Sequence, residues 1–406
     1  MKNRLLQFCL VLFALFILMP SEKRGILVVI FGLVAVMAAP QKPDIKQLKV
    51  FIINASPFLV YLISALWYFD AQQTPKKLET GLSILVLPFI FAIVNKNSLF
   101  SQKTKTLFFK LFILSSAIFS LIIILYFAYL GYFNGTRTYG YCLAQVTNNL
   151  PIWSDHPIYI SIILCLSIIF SYQLYATGLK RRDKIMLVAL IFVIIATVLF
   201  LSRRGPILAL IISFIPLLNN LFKRTGKKKL LLLRIGAIVL ILSGCIIVFV
   251  KPINKRILEV VNVKTYLGKN ETNSVNNRVQ IYKCAIELIE NKPIFGYGIG
   301  RDKKELYDCY KENLYYLYEN KFNTHNQYFS ILLRSGIIGF IIFLCFMCYN
   351  YNIAIRSGDL IFLSILLFYT VIFLFENVLE RQNGVIFFAF IINYFAFRNL
   401  NYKEEQ

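Results

Sequence analysis

Long apolar runs recur along this chain, separated by short stretches rich in lysine and arginine, and that alternation leaves few folds open. A run of about 20 apolar residues crosses a bilayer as a helix, because a helix satisfies its own backbone hydrogen bonds where no water can. Twelve such runs fall at 5–19, 25–39, 49–69, 81–94, 107–131, 157–178, 184–201, 205–220, 229–250, 327–349, 359–376 and 384–397. Several are too short for an untilted crossing, so merging, kinking or partial insertion of some is expected. Hydrophobic residues make up 58% of the chain and mean hydropathy is +0.65, far above a soluble domain. The expected fold is all-α, a polytopic transmembrane helical bundle of about 12 helices.

The formal charge of +24 would suggest nucleic acid in a soluble protein. Here the cations cluster in short loops between apolar runs, where topology explains them; membrane lipid is the expected partner and nucleic acid is not. With a cytoplasmic amino terminus, inside loops hold roughly 20 lysines and arginines and short outside loops roughly 8. The chain then divides into nine helices over 1–250, an outer loop over 251–326 and, over 327–406, three helices with a short cytoplasmic tail. Lys2 and Arg4 before the first run resemble a signal peptide, but no small-residue cleavage site follows and another run starts at Gly25. A retained first helix is expected.

The outer loop has a pattern of its own. Val279, Tyr282, Ile286 and Ile289 recur at helical spacing over 275–290, as do Leu306, Tyr310, Leu314 and Leu317 over 302–319, predicting two amphipathic helices on the bilayer surface. Between them, Phe295-Gly296-Tyr297-Gly298-Ile299-Gly300 is similar to a nucleotide-binding glycine motif, but no strand precedes it and a membrane-adjacent turn is the better reading. The loop tyrosines at 307, 310, 315, 316 and 318 fit sugar stacking and interfacial anchoring equally well. Cys284 and Cys309 both fall outside, where an oxidising compartment permits a bridge; Cys345 and Cys348 sit in an apolar helix, where packing suits them better than metal binding.

The strongest lead to chemistry is His325, one of only two histidines, where the hydrophilic tract ends and the run to Tyr349 begins. A proton-exchanging side chain at a membrane boundary is a functional candidate by default. His156, Arg203, Arg204, Glu380 and Arg381 fall on the same outer face in this topology. Glu376, Glu380 and Arg381 are read as an internal ion-pair group, and Arg334, inside its helix, should face protein or a cavity.

Leu201-Ser202-Arg203-Arg204-Gly205-Pro206, Asn277-Arg278-Val279-Gln280-Ile281-Tyr282, Asn291 to Gly300, and His325-Asn326 followed by Gly336-Ile337-Ile338-Gly339 resemble the successive signatures of the O-antigen ligase and O-antigen polymerase superfamily. His156-Pro157-Ile158-Tyr159 and Leu379-Glu380-Arg381-Gln382-Asn383-Gly384 are similar to Bacteroidetes-type members. Singly the Arg-Gly and His-Asn pairs are weak; their order and placement about one large loop are more specific. The resemblance implies a bacterial inner-membrane enzyme working at its periplasmic face without cofactor, metal or nucleotide. Ligases move a finished polysaccharide from undecaprenyl pyrophosphate to a lipid A-core acceptor, and polymerases extend the lipid-linked glycan.

Arg204 and Arg278 match the family's functional arginines, and Arg203 makes a pair where one arginine is usual, leaving open which of the two meets diphosphate. Forked guanidinium groups suit phosphate oxygens and would stabilise the leaving group. His325 would accept the acceptor hydroxyl's proton in one inverting displacement. His156, Asn326, Glu380 and Arg381 would support the site. Against these stand plainer roles: Arg203 and Arg204 marking a tight turn, Arg278 a solvated helix charge, His325 a helix cap, His156 a helix start. A lipid-linked glycan transporter is the alternative of a different class, although the charges gather at one face instead of mid-membrane.

Overall fold

A computed structural model describes residues 2–38, 42–94, 97–150, 155–176, 178–225 and 274–401. The described residues contain helices and no strand. They are α1 (Lys2–Leu12, continued as a 3-10 helix Phe13–Leu18), α2 (Gly25–Met37), α3 (Ile45–Ser64), α4 (Gln73–Gly81), α5 (Ser83–Ile93), α6 (Asn97–Phe100), α7 (Gln102–Tyr129), α8 (Tyr139–Asn148), α9 (Pro157–Ala176), α10 (Arg181–Leu201), α11 (Arg204–Ser213), α12 (Ile215–Thr225), α13 (Ser274–Asn291), α14 (Asp302–Asn313), α15 (Tyr315–Glu319), α16 (Gln327–Ser357), α17 (Leu360–Ile372) and α18 (Gln382–Asn401).

Every expected apolar run coincides with a helix except 229–250, which lies outside the described residues. Among the described residues, seven helical stretches are long and apolar enough to cross a membrane, the one starting at Arg204 continuing from α11 into α12. α2 and α5, with 13 and 11 residues, are too short to cross alone. The molecule is a polytopic helical bundle and a multi-pass membrane protein. α9 and α18 form its centre, each with 89% of its apolar window buried, whereas α10 keeps only 28% buried and presents its side chains outward. Deep in the bundle Asn350 Nδ2 donates to Asn54 Oδ1, and Asn54 Nδ2 to Asn393 Oδ1, each at 2.8 Å. This amide chain ties α16, α3 and α18 together where an unpaired polar group would be costly.

α16 is not one continuous helix. At Gly336, φ 59° and ψ −163° break it, a conformation open in practice only to glycine. The carbonyls of Leu333 and Arg334 then turn away from their helical partners and accept from the N–H groups of Tyr297 and Gly298, at 2.7 and 2.9 Å. In return Ile337 N–H donates to Pro293 O at 2.8 Å. The glycine-rich segment is therefore the partner of a broken helix. Gly298 approaches so closely that a Cβ there would sit 2.9 Å from the carbonyl oxygen of Ser64, at the end of α3.

Helices α13, α14 and α15 pack on each other and on Leu333 of α16, with α13 and α14 joined by a disulfide between Cys284 and Cys309. The buried stripe of α13 is Ile281, Cys284, Ala285 and Leu288, not the one spaced from Val279; Ile286 is 45% exposed. The second expected helix is divided at Leu314, whose ψ of 53° is not helical. Cys345 and Cys348 are exposed on α16 instead of packed inside.

Candidate functional site

The short segment from Phe373 to Arg381, between α17 and α18, is laced to the start of α16. Gln327 N–H donates to Phe373 O at 2.8 Å, and Gln327 Oε1 accepts from Leu379 N–H at 2.8 Å. Asn377 Nδ2 donates to Thr324 Oγ1 at 2.9 Å and to Ser330 Oγ at 2.7 Å. Asn326, buried, is the N-cap of α16, its Oδ1 accepting from Tyr328 and Phe329 at 2.9 and 3.2 Å. The helix cap is thus Asn326, leaving the preceding histidine for other work. His325 holds a left-handed backbone, φ 47°, with its N–H donating to Asn323 Oδ1 at 3.0 Å.

That turn aims the imidazole at the laced segment. His325 Nδ1 lies 3.5 Å from Glu376 Oε2, with the histidine side chain 25% exposed and the carboxylate 8%. Burial alone would raise the Glu376 carboxyl; contact with His325 and the positive field of Arg278 outweigh it and hold the group below its usual range. Arg278 is half-buried on α13 and donates from Nη2 to Phe375 O at 3.2 Å, while Tyr282, one turn on, donates to Leu374 O at 3.3 Å.

His156 precedes α9, and its Nδ1 accepts from Ile158 N–H at 3.4 Å. Burial, then the charge of Arg203, push this ring down to about 4 against the pull of Glu376, so it is neutral near pH 7. Arg203 and Arg204 are both half-buried where α10 ends at left-handed Ser202 and α11 begins. A Cβ at Gly205 would lie 2.8 Å from that of Phe375, which is a physical reason for the Arg-Gly pair: only a bare Cα lets α11 start this close to the segment bearing Glu376. Arg381 is exposed, with its guanidinium 5.6 Å from the centre of the Tyr159 ring. Tyr159 donates to Asn377 O at 3.1 Å.

His325, His156 and Arg278 are therefore gathered around Glu376, with Arg203 and Arg381 close enough to His156 to act on its charge. Glu380 is not. It belongs to a neighbouring buried cluster, paired with Arg334 and with Lys303, the latter at 2.9 Å. Asp302 joins from α14, contacting Arg334 at 2.9 Å and Lys77. Burial opposes the Glu380 charge, but Arg334, Lys303 and Lys77 together hold its carboxyl far below the usual range. The expected ion pairing of Glu376, Glu380 and Arg381 with one another is thus replaced by three separate partnerships, Glu376 lying before and Glu380 at the end of a short 3-10 helix over Val378–Glu380 that turns the chain between them. Arg334 is buried, 2% exposed, and faces protein as expected.

Glu376 is the residue that sequence reasoning undervalued. It was visible as an acid ending an apolar run, but its partner lies 51 positions away. Of the loop tyrosines, Tyr310 is fully buried and cannot stack on a sugar. Tyr316 lines a separate cavity of about 540 Å³ between α13 and α14, with Gln280, Lys283, Glu287 and Asp308, on the face of α13 turned away from Arg278.

Residues 187–344 match the family model described as O-antigen ligase, a stretch holding Arg203, Arg204, Arg278 and His325. The chain carries an O-antigen ligase superfamily domain. No curated protein matches it. The superfamily comprises O-antigen ligases and polymerases, membrane glycosyltransferase-like enzymes that handle lipid-linked glycans. The match ends before Phe373, so the segment that supplies Glu376 to His325 lies beyond it.

Proposed function

We propose that the chain is an O-antigen ligase-like inverting glycosyltransferase. It moves a polysaccharide from undecaprenyl pyrophosphate to a lipid A-core acceptor at the periplasmic face of the inner membrane. The observation that carries this reading is the pairing of His325 with Glu376, with Arg278 acting on that carboxylate and Arg203 and Arg381 on the neighbouring His156. A carboxylate at Nδ1 favours the tautomer with its proton there, leaving Nε2 as the acceptor. His325 would take the proton from the acceptor hydroxyl as its oxygen bonds to the anomeric carbon. On the opposite side the bond from that carbon to the diphosphate oxygen breaks, and configuration inverts. Arg278, with Arg203 or Arg204, would hold the departing diphosphate, and His156, kept neutral, would add no competing charge that moves with pH. In this reading the arginines supply the positive charge, so transfer should persist in chelator.

Support for the outer location of the site comes from the cation bias of the loops, and the division at 250 and 326 follows the same topology. An O-antigen or related polysaccharide polymerase extending the lipid-linked glycan would use the same geometry. Deleting the gene and running lipopolysaccharide on a gel separates the two. Core without long chains, with lipid-linked polymer accumulating, is the expected result; core bearing a single repeat would instead identify a polymerase. Complementation with Arg278→Ala should reproduce the deletion, and Arg278→Lys should restore little, since a point charge lacks the fork. Normal long chains from both variants would remove Arg278 from the mechanism.

A further inference from the structure

The cleft between α13 and α14, about 540 Å³ in volume, has no part in the chemistry assigned to His325. One face of α13 lines it at the three- and four-residue spacing of a helix, through Gln280, Lys283 and Glu287. α14 adds Asp308 and α15 adds Tyr316. Leu288, Leu317 and Cys284 form the buried apolar lining, and the bond from Cys284 to Cys309 fixes the two walls with their Cα atoms 6.1 Å apart. No hydrogen bond or ion pair within the described residues engages the side chain of Gln280, Lys283, Glu287 or Asp308. Glu305, by contrast, pairs with Arg301.

Tyr316 also connects the cleft to the histidine. Lys321, in the left-handed region at φ 48°, folds the chain back so that Phe322 N–H donates to Leu317 O at 3.2 Å, and Tyr307 donates to Lys321 O at 3.2 Å. The Phe322 ring then lies 6.0 Å from that of Tyr316 and 5.8 Å from that of His325, centre to centre. Three partly exposed rings therefore run from the cleft to the imidazole. A sugar ring has an apolar face of C–H groups and a rim of hydroxyls, so a site that holds one combines an aromatic surface with converging donors and acceptors.

We propose that this cleft is a saccharide subsite, taking a neutral or amino sugar of a glycan whose reacting end lies at His325. Tyr316 and Phe322 would carry the sugar faces, and Gln280, Lys283, Glu287 and Asp308 the hydroxyls; two carboxylates against one ammonium disfavour an anionic sugar. The choice of glycan rests on the glycosyltransferase reading of the His325 site. That glycan belongs to the acceptor or to the donor, and the two are separable. The full chain in nanodiscs is titrated calorimetrically with core oligosaccharide and, separately, with long-chain polysaccharide, each cut free of lipid from the lipopolysaccharide of the host cell. Heat with the first alone assigns the cleft to the acceptor, with the second alone to the donor, and with both to a sugar they share. Removing Glu287 and Asp308 together as Ala should weaken the titrated affinity about tenfold. Tyr316→Ala should do the same, whereas Tyr316→Phe, which keeps the ring, should retain most of the affinity. Both carboxylates belong to exposed residues, so their removal decides even if Tyr316→Ala does not fold. In transfer these variants should raise KM for that glycan and leave kcat at saturation unchanged, the opposite of His325→Ala, which should titrate like wild type. No heat with wild type, Ala variants that bind as wild type does, or a fall in kcat at unchanged KM overturns the subsite. Because binding is read without transfer, a failed titration leaves the gel test of the ligase reading standing, and a failed gel test leaves the titration standing.

Discussion

His325 sits at a backbone angle that few histidines adopt, and the strain is held by its hydrogen bond to Asn323 and by the Asn326 cap that follows. If it is the base, His325→Ala should lower transfer by a factor on the order of 10² to 10⁴ while lipid-linked donor still binds. Glu376→Gln removes the charge that orients the ring but keeps its shape. A smaller loss, roughly tenfold, confined to turnover with donor affinity unchanged, is expected; activity equal to wild type would reduce the carboxylate to packing. His156 makes a pH-dependent contribution to stability. Its ring titrates near 6.5 when unfolded and at about 4 in the fold, so the folded chain binds fewer protons between those values. The stabilisation from the neutral ring is complete above about 6.5 and lost as pH falls toward 4, up to about 3 kcal/mol. His156→Gln should therefore flatten the decline of the melting midpoint across that window. An unchanged slope would show that the ring is not buried neutral.

The elements that build the site depend on one broken helix. Gly336→Ala would force a side chain into a conformation that costs about 1 to 3 kcal/mol, and its Cβ would meet the backbone of Ile294 and Phe295. Loss of thermal stability in detergent, with Gly358→Ala at the exposed end of α16 as a milder control, is the expected result. Equal midpoints for the two variants would mean that the break tolerates a side chain. At this scale the sequence was legible wherever hydropathy governs: apolar runs became helices, and Arg334 faced protein. α4 and α8 escaped notice because their polar composition gives no apolar run. The stripe on α13 was misplaced because several residues of that helix fit a helical spacing, and the disulfide partner that selects Cys284 is far along the chain. Motif order marked His325 and the arginines, whereas Glu376 and the network of Lys77, Asp302 and Glu380 required segments remote in sequence to meet.

For the molecule as a whole, the cation bias predicts which end of the bundle faces outward. A periplasm-active reporter fused near Asn270 should work and one near Lys228 should be silent; both junctions lie outside the described residues. The reverse pattern would turn the proposed site toward the cytoplasm. The break in α16 also bears on how such a chain is made. Its two displaced carbonyls and the buried Arg334 would be poor company for lipid if the helix left the translocon alone. Residues 293–298, which supply the N–H groups for those carbonyls, are synthesised earlier than α16. The dock is therefore translated before the helix that needs it, so a truncation or delay in delivering the loop should leave the last three helices without a settled place in the membrane.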